Sequence, residues 1–496
     1  MSQSYGLSKS RYLKGLQCLK ALWLQKHRPE LAAEITPELQ ARFDMGHEVG
    51  FLAQKCFPEG VEVTEDYTQI KEAAAKTVEL INDGAEVLYE AAVIYNNVLA
   101  RIDIFKKAGP DSWDMIEVKA SAHVKDINLH DVALQRYVFE GSGYNIRKTF
   151  LMHLNRDYVR KGDLDIHQLF TLEDITAAAR NRMPGIADRI NEMLAVLKQK
   201  KCPCIEIGDH CSNPYECDFK EHCWQHIPED SIYSLVRLTK EKRNSLRDRD
   251  IIRIQDIPDS FDLSNSQELQ KLSITSSKPL INRKKIAGFL SELEYPLYFL
   301  DFEVASPGPP IPAFDGTRPF SRIPFQFSLH IQEKPEQQVK HKEFLAFHKN
   351  DPRRDFAKEL VQCMGKKGSV IVYNTAFEKS IMDQLAAQFP EYSKKLTDIC
   401  SRLWDMLVPF RSRWYVHPEF HGSASLKAVL PVLVPEMTYS DLEISQGGAA
   451  SQTYLDMLDE KIPQEKIKTT EKALKEYCRQ DTLAMVRLLE VLRGVL

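Results

Sequence analysis

Residues 86–107, EVLYEAAVIYNNVLARIDIFKK, and residues 111–122, DSWDMIEVKASA, decide how the first half of this chain is read. The first stretch is rich in Val, Ile, Leu and Tyr on both sides of Asn96-Asn97, which marks a strand, a tight turn and a second strand. Gly109-Pro110-Asp111 breaks the chain before a third strand, and NLHDVALQRYVFEGSG at 128–143 follows as a helix. Side chains at i and i+2 of a strand share a face, so Glu117 and Lys119 project together. Asp103 ends the preceding strand, and a hairpin-like pairing brings it beside them. Two carboxylates converging on one point repel each other unless a cation lies between them. Mg²⁺ or Mn²⁺ suits that place, held by one or two carboxylates plus water and a substrate phosphate. Lys119 is then placed to orient the attacking water or stabilise the transition state.

Working outward, KEAAAKTVELIN at 71–82 reads as a helix. At 496 residues the chain exceeds one ordinary domain, with about three expected at ~150 residues each. Its 43% hydrophobic and 27% charged residues exclude a mainly disordered chain, a collagen and a coiled-coil rod. No window holds ~18 consecutive apolar residues, and the start lacks a signal peptide's apolar core, so a soluble, cytoplasmic protein with no membrane contact is expected. Lys and Arg total 66 against 70 for Asp and Glu, which argues against a strongly basic duplex-coating protein and leaves local basic grooves open. Five of the ten cysteines fall between Cys202 and Cys223, and in a reducing compartment that density reads as metal ligation before disulfides.

The set Asp103, Glu117-Val118-Lys119 and Gln135 with Tyr137 resembles the PD-(D/E)XK nuclease superfamily, in its RecB-like branch. By that resemblance Asp103 and Glu117 are metal ligands, and Lys119 and Gln135 complete the catalytic set. His47, in MGHEVG, resembles the branch's extra histidine ligand, with Glu90 a weaker candidate. Ile102 stands where the family has proline. The spacing Cys211-x5-Cys217-x5-Cys223, with Cys18 in LKGLQCLKALW, resembles the layout in RecB-like nucleases of recombination and CRISPR adaptation. The resemblance implies that Cys18, Cys211, Cys217 and Cys223 hold a [4Fe–4S] cluster. Thiolate-only ligation favours an iron–sulfur cluster or zinc, and the alternative is a zinc site using Cys202, Cys204, His210 or His222 with some of the later cysteines. Cys56, Cys363, Cys400 and Cys478 read as ordinary buried cysteines.

Residues 227–290 turn charged and polar and read as a small helical connector. YPLYFLDFEVA at 295–305 then gives an apolar strand carrying Asp301 and Glu303 on one face. A proline-rich loop runs from Ser306 to Pro324, where it could gate or cap a site. GSVIVYNTAFEKSIMDQLAAQ at 368–388 reads as strand, turn and helix. The end, TTEKALKEYCRQDTLAMVRLLEVLRGVL, has a strong helical period that stacks Tyr477 one turn from Asp481. The order Asp-x-Glu, Asn-x-x-Phe-acid, Tyr-x3-Asp resembles the DnaQ-like 3′–5′ exonucleases of the RNase H fold. Asp301, Glu303 and Asp481 carry over as metal ligands, and Tyr477 as the residue orienting the attacking water. Glu378, one methylene longer, stands where that family has aspartate and is carried over as a metal ligand, with Asp405 the substitute to consider next.

The expected architecture is therefore α/β throughout: a PD-(D/E)XK restriction-endonuclease-like domain over 1–226, a connector over 227–290, and an RNase H-like domain over 291–496. The implied function is a metal-dependent nuclease acting on nucleic acid, DNA in the first instance, in repair, recombination or phage defence. Two rivals stay open: one catalytic domain with the other binding substrate, or a non-catalytic iron–sulfur scaffold. No Walker A sequence is present, so a helicase or defence-system partner would be a separate protein. Trp404, Phe410 and Trp414 could stack on bases or simply pack in the core.

Overall fold

The structure is a computed structural model that describes residues 6–65, 69–312, 314–346, 350–439, 442–444, 446–458 and 463–496. It is mixed α/β and divides into two compact units. One comprises residues 1–226 with 307–321, the other 227–306 with 322–496. Among the described residues, no helix is long and apolar enough to cross a membrane.

In the first unit, a seven-stranded sheet has the order β2 (Val61–Glu62), β3 (Val87–Tyr95), β4 (Val98–Gly109), β5 (Ser112–Lys119), β6 (Ile146–Leu154), β7 (Phe170–Asp174), with β1 (Leu7–Ser8) also pairing β4. The Asn96-Asn97 turn closes β3 on β4 with both residues at positive φ, a conformation asparagine tolerates better than most residues. β4 and β5 pair antiparallel, and Ile104 faces Ile116 across the ladder. Asp103 and Glu117 come one step further on. β5 and β6 are parallel, joined by the helix Asp126–Gly141, the crossover that parallel strands require. Leu134, Val138 and Phe139 of that helix share one core with Tyr12, Ile102, Phe105, Ile186 and Ile190. A second cluster joins Val49, Leu52 and Ala53 of the helix Pro37–Gln54 to Ile104, Ile116 and Val118.

The second unit holds a five-stranded sheet in the order β11 (Lys340–Leu345), β10 (Ile323–Gln332), β9 (Leu297–Ala305), β12 (Val370–Val372), β13 (Leu403–Asp405). A two-stranded sheet pairs β14 (Tyr415–Val416) with β8 (Leu280–Ile281). β10 runs antiparallel to both its neighbours, whereas β9, β12 and β13 are parallel. The period-2 pattern of β9 places its two carboxylates. Tyr298, Leu300 and Phe302 join one core with the helices Arg353–Cys363 and Thr375–Gln388. Leu297, Phe299 and Ala305 join the opposite core, built on Leu474, Tyr477, Met485 and Leu488 of the C-terminal helix Gln464–Gly494. Asp301 and Glu303 share the odd register, so they face that helix.

Residues 227–290 belong to the second unit rather than forming a separate body. Ile232, Leu235, Leu246 and Ile254 give them a small core, and Asn282 N–H donates to Trp414 O at 2.7 Å. The proline-rich stretch 307–321 is part of the first unit. Arg160 N–H donates to Thr317 O and Gly316 N–H to Arg160 O, each at 2.9 Å. Gly162 N–H reaches Asp315 Oδ1 at 2.9 Å. Trp404 and Phe410 are buried, Trp404 stacked on Phe289 at 4.0 Å between centroids, and Trp414 packs edge-on to the same ring. Trp404 and Phe410 thus fill the core, and Trp414 packs half-buried at its edge.

Candidate active sites and a cysteine pocket

The first site is built from β4, β5 and the crossover helix. Beyond Ile104 the Asp103 carboxylate takes over from the backbone ladder, and Val118 N–H donates to Oδ2 at 2.5 Å. Glu117, only 1% exposed, accepts Lys119 Nζ on Oε1 and Gln135 Nε2 on Oε2, the latter at 2.9 Å. Asp131 lies one helical turn before Gln135, takes the same amide at 2.9 Å, and pairs with Lys119 at 2.9 Å. Burial, followed by the Glu117 charge, pushes the Asp103 carboxyl up to about 8. Burial also works against the Asp131 carboxylate, but Lys119 and Lys9 hold it well below the usual range. Gln135 Oε1 is buried without a partner while its amide nitrogen serves two carboxylates. An unpaired acceptor beside two carboxylates fits a site for a divalent cation.

Asp103, Glu117, Lys119 and Gln135 thus come together. Glu90 sits at positive φ near Asp103 and adds to its electrostatic load. His47 is exposed on the helix Pro37–Gln54, and among the described residues it does not form a group within 4.8 Å with Asp103 and Glu117. Tyr137 turns to the Asn96 turn, where it accepts Asn96 Nδ2 at 3.1 Å and packs edge-on to Tyr95. Two members were not foreseen: Asp131, whose i−4 spacing from Gln135 was a usable signal, and Lys9, which carried none.

In the second site, ligand atoms of Asp301, Glu303 and Cys478 lie within 4.8 Å of one another. Burial, with Asp481 and then Glu303 adding repulsion, pushes the Asp301 carboxyl well up; burial and Asp481 do the same to Glu303. Burial pushes Asp481 up to about 6 even though it accepts the Tyr439 hydroxyl. Lys427 Nζ lies 5.3 Å from the Tyr477 ring centroid and 5.4 Å from that of Tyr439. Glu378 is buried near Asp301 with Oε2 unpartnered. Asp405 is otherwise engaged: Oδ1 accepts Asn374 N at 3.0 Å and Leu407 N at 3.1 Å, and Oδ2 accepts Arg411. Glu378 thus keeps an unpartnered carboxylate oxygen whereas both oxygens of Asp405 are engaged, and among the described residues neither joins the group of Asp301, Glu303 and Cys478. Cys478, expected to be an ordinary core thiol, instead borders the carboxylates.

Burial, with Asp405 adding to it, pushes the Glu378 carboxyl up to about 8. A carboxyl bound more tightly to its proton in the folded state loses stability as pH climbs between its unfolded and folded values, by at most ~1.4 kcal/mol per pH unit. In EDTA, the melting temperature is expected to fall between about pH 5 and pH 8, and Glu378→Gln should flatten part of that slope. Parallel melts of the two proteins across that range check it; identical slopes would place the Glu378 carboxyl in a solvated setting.

The cysteine pocket lies in the first unit. Cys18 sits in an extended break between the helices Lys9–Gln17 and Leu19–His27. Cys211 N-terminal to a turn, Cys217 and Cys223 line one pocket with it, alongside Phe219 and His210. Gln17 Nε2 donates to His210 O and Tyr215 O, each at 2.7 Å, and Cys217 N–H to Cys211 O at 2.9 Å. Among the described residues, no three of the cysteine sulfurs form a group within 4.8 Å of one another. Cys202 is exposed, though near enough to Cys223 and Cys18 to feel both.

Residues 298–425 match the model of a domain of unknown function, DUF2779. The chain is also similar to the uncharacterized protein MG366 homolog of Mycoplasma pneumoniae, 27% identical over 214 residues. That similarity takes in 39% of this chain, which spans about a third of the relative's length, 32%.

Proposed function

We propose that this chain is a divalent-metal-dependent nuclease that hydrolyses phosphodiester bonds in nucleic acid, with DNA as the first substrate to test. The observation that carries this reading is the convergence of Asp103, Glu117, Lys119 and Gln135 from three elements onto one cluster that includes a buried, unpaired acceptor, Gln135 Oε1. The arrangement supports a PD-(D/E)XK, RecB-like first unit. In the second unit, the strand order with one strand against four supports an RNase H-like, DnaQ-type reading.

Asp103 and Glu117 would hold the divalent ion of the first site. Asp301, Glu303, Glu378 and Asp481 would hold those of the second. A bound ion offsets charge on the scissile phosphate and activates water for attack. Lys119 presents its ammonium to the charge that builds on the phosphate, and Gln135 fixes the Glu117 carboxylate. Tyr477, stacked under Lys427, orients the attacking water in the second site. The cysteine pocket would hold a [4Fe–4S] cluster as a structural staple, Mg²⁺ or Mn²⁺ serving both catalytic sites. Action in repair, recombination or phage defence, beside a separate helicase, belongs to the same proposal.

A second reading, in which only the first site cuts, is favoured by one observation: Asp481 already accepts the Tyr439 hydroxyl in a buried setting. End-labelled single- and double-stranded DNA and RNA, incubated with Mn²⁺ or EDTA, test the proposal. Metal-dependent cleavage of any of the four supports it and names the substrate. Binding without cleavage would put a non-catalytic scaffold in its place.

A further inference from the structure

Lys9 lies over a hundred residues before Glu117 in sequence, yet its Nζ is 2.7 Å from Glu117 Oε1 and 3.7 Å from Asp131 Oδ1. Its placement is built in. β1 pairs in parallel with β4 at Leu7↔Val98 and Ser8↔Leu99, so the chain heads toward Asp103 as it leaves the strand. Ser8 then caps the helix Lys9–Gln17, its Oγ accepting Arg11 N–H, which fixes Lys9 as the first helical residue.

The acceptor count on Glu117 sets how many cations fit. A carboxylate has about four lone-pair sites. Lys9 and Lys119 share Oε1, and Gln135 takes one place on Oε2, which leaves one. Asp103 Oδ2 is partly used by Val118 N–H. Two divalent ions bridged by Glu117 would have to displace an ammonium. The two lysine side chains are 28% and 26% exposed, whereas Glu117 and Asp131 are 1% and 3%. The lysine side chains are thus the more exposed members of the cluster, so a phosphate arriving from solvent comes in along them.

Resting on the nuclease reading of this site, we infer that Lys9 is a second substrate-contacting lysine that supplies the positive charge a second metal ion would otherwise bring, and that the site works with one divalent ion. The phosphate would lie between the Lys9 and Lys119 ammonium groups, on the open side of Glu117.

The test uses the full chain carrying Asp301→Asn and Glu303→Gln, so that metal binding and cutting report the first site. Lys9→Ala and Lys9→Arg are compared with this parent by Mn²⁺ titration under electron paramagnetic resonance, by single-turnover cleavage and by thermal melting. Removing an ammonium that competes for Glu117 is expected to tighten Mn²⁺ binding about tenfold or admit a second ion, while cleavage slows about a hundredfold. Lys9→Arg is expected to keep one ion and most of the rate. These opposed shifts separate a phosphate contact from a structural pin, whose loss would lower affinity, rate and melting temperature together and overturn the inference. Unchanged affinity and rate in Lys9→Ala, with Lys119→Ala inactive, would overturn it while leaving the nuclease reading intact. A parent that binds Mn²⁺ and cuts nothing would overturn both.

Discussion

Lys119→Ala is expected to slow cleavage at the first site by about 10²–10³-fold while the protein stays folded, because a preorganised charge at the reacting phosphate is worth that much. The Lys119 side chain is a quarter exposed, and its ammonium bridges Glu117 to Asp131. Lys9 still offsets those carboxylates after the substitution, so the change should cost far more rate than stability. Lys119→Arg would keep the charge but not its place, since a planar fork cannot reproduce a compact ammonium between two acids. Single-turnover rates with saturating Mn²⁺, paired with melting curves, read both effects. A rate equal to that of the unaltered protein would remove Lys119 from the chemistry.

The second large effect is expected at the cysteines. Cys211→Ser, or Cys18→Ser, should abolish iron and acid-labile sulfide content and destabilise the first unit. Closing a loop of about 190 residues costs roughly 4.7 kcal/mol of chain entropy, which a ligated cluster would offset. The Gln17 hydrogen bonds to His210 and Tyr215 carbonyls tie the same two segments without metal, so part of the closure should survive the substitution. A fall of roughly 10 °C in melting temperature is expected on this footing. Cys56→Ser, outside the pocket, serves as the control and should change neither quantity. One zinc per chain with no iron would replace the cluster with a mononuclear site.

What could be read ahead of the structure follows how local each signal is. The β3–β4 turn and the shared face of Glu117 and Lys119 depend on neighbours a few residues apart, and turn chemistry with the period of a strand specifies both. Asp301 and Glu303 were legible for the same reason, and the alternating cores on either side of β9 then fix which helix they face. Lys9 is different. Its place depends on a two-residue strand pairing with β4 ninety residues later, and nothing in LSKS announces that. Tyr439 enters the second site from another segment, through its hydrogen bond to Asp481 and its packing against Tyr477. The proline-rich stretch reads as a loop of the second half, yet its hydrogen bonds go to Arg160 and Gly162. Aromatic residues such as Phe410 give the same sequence signal whether they stack on a base or fill a core, and burial decides between them.

The most direct measurement compares the products from end-labelled DNA with Mn²⁺ for four full-length proteins: unaltered, Lys119→Ala, Asp301→Asn, and the double variant. Two nuclease sites on one chain should give two product patterns, one lost in each single variant and both lost in the double. A double variant that cuts as fast and in the same pattern as the unaltered protein would show that neither cluster is an active site, and the nuclease reading would fall.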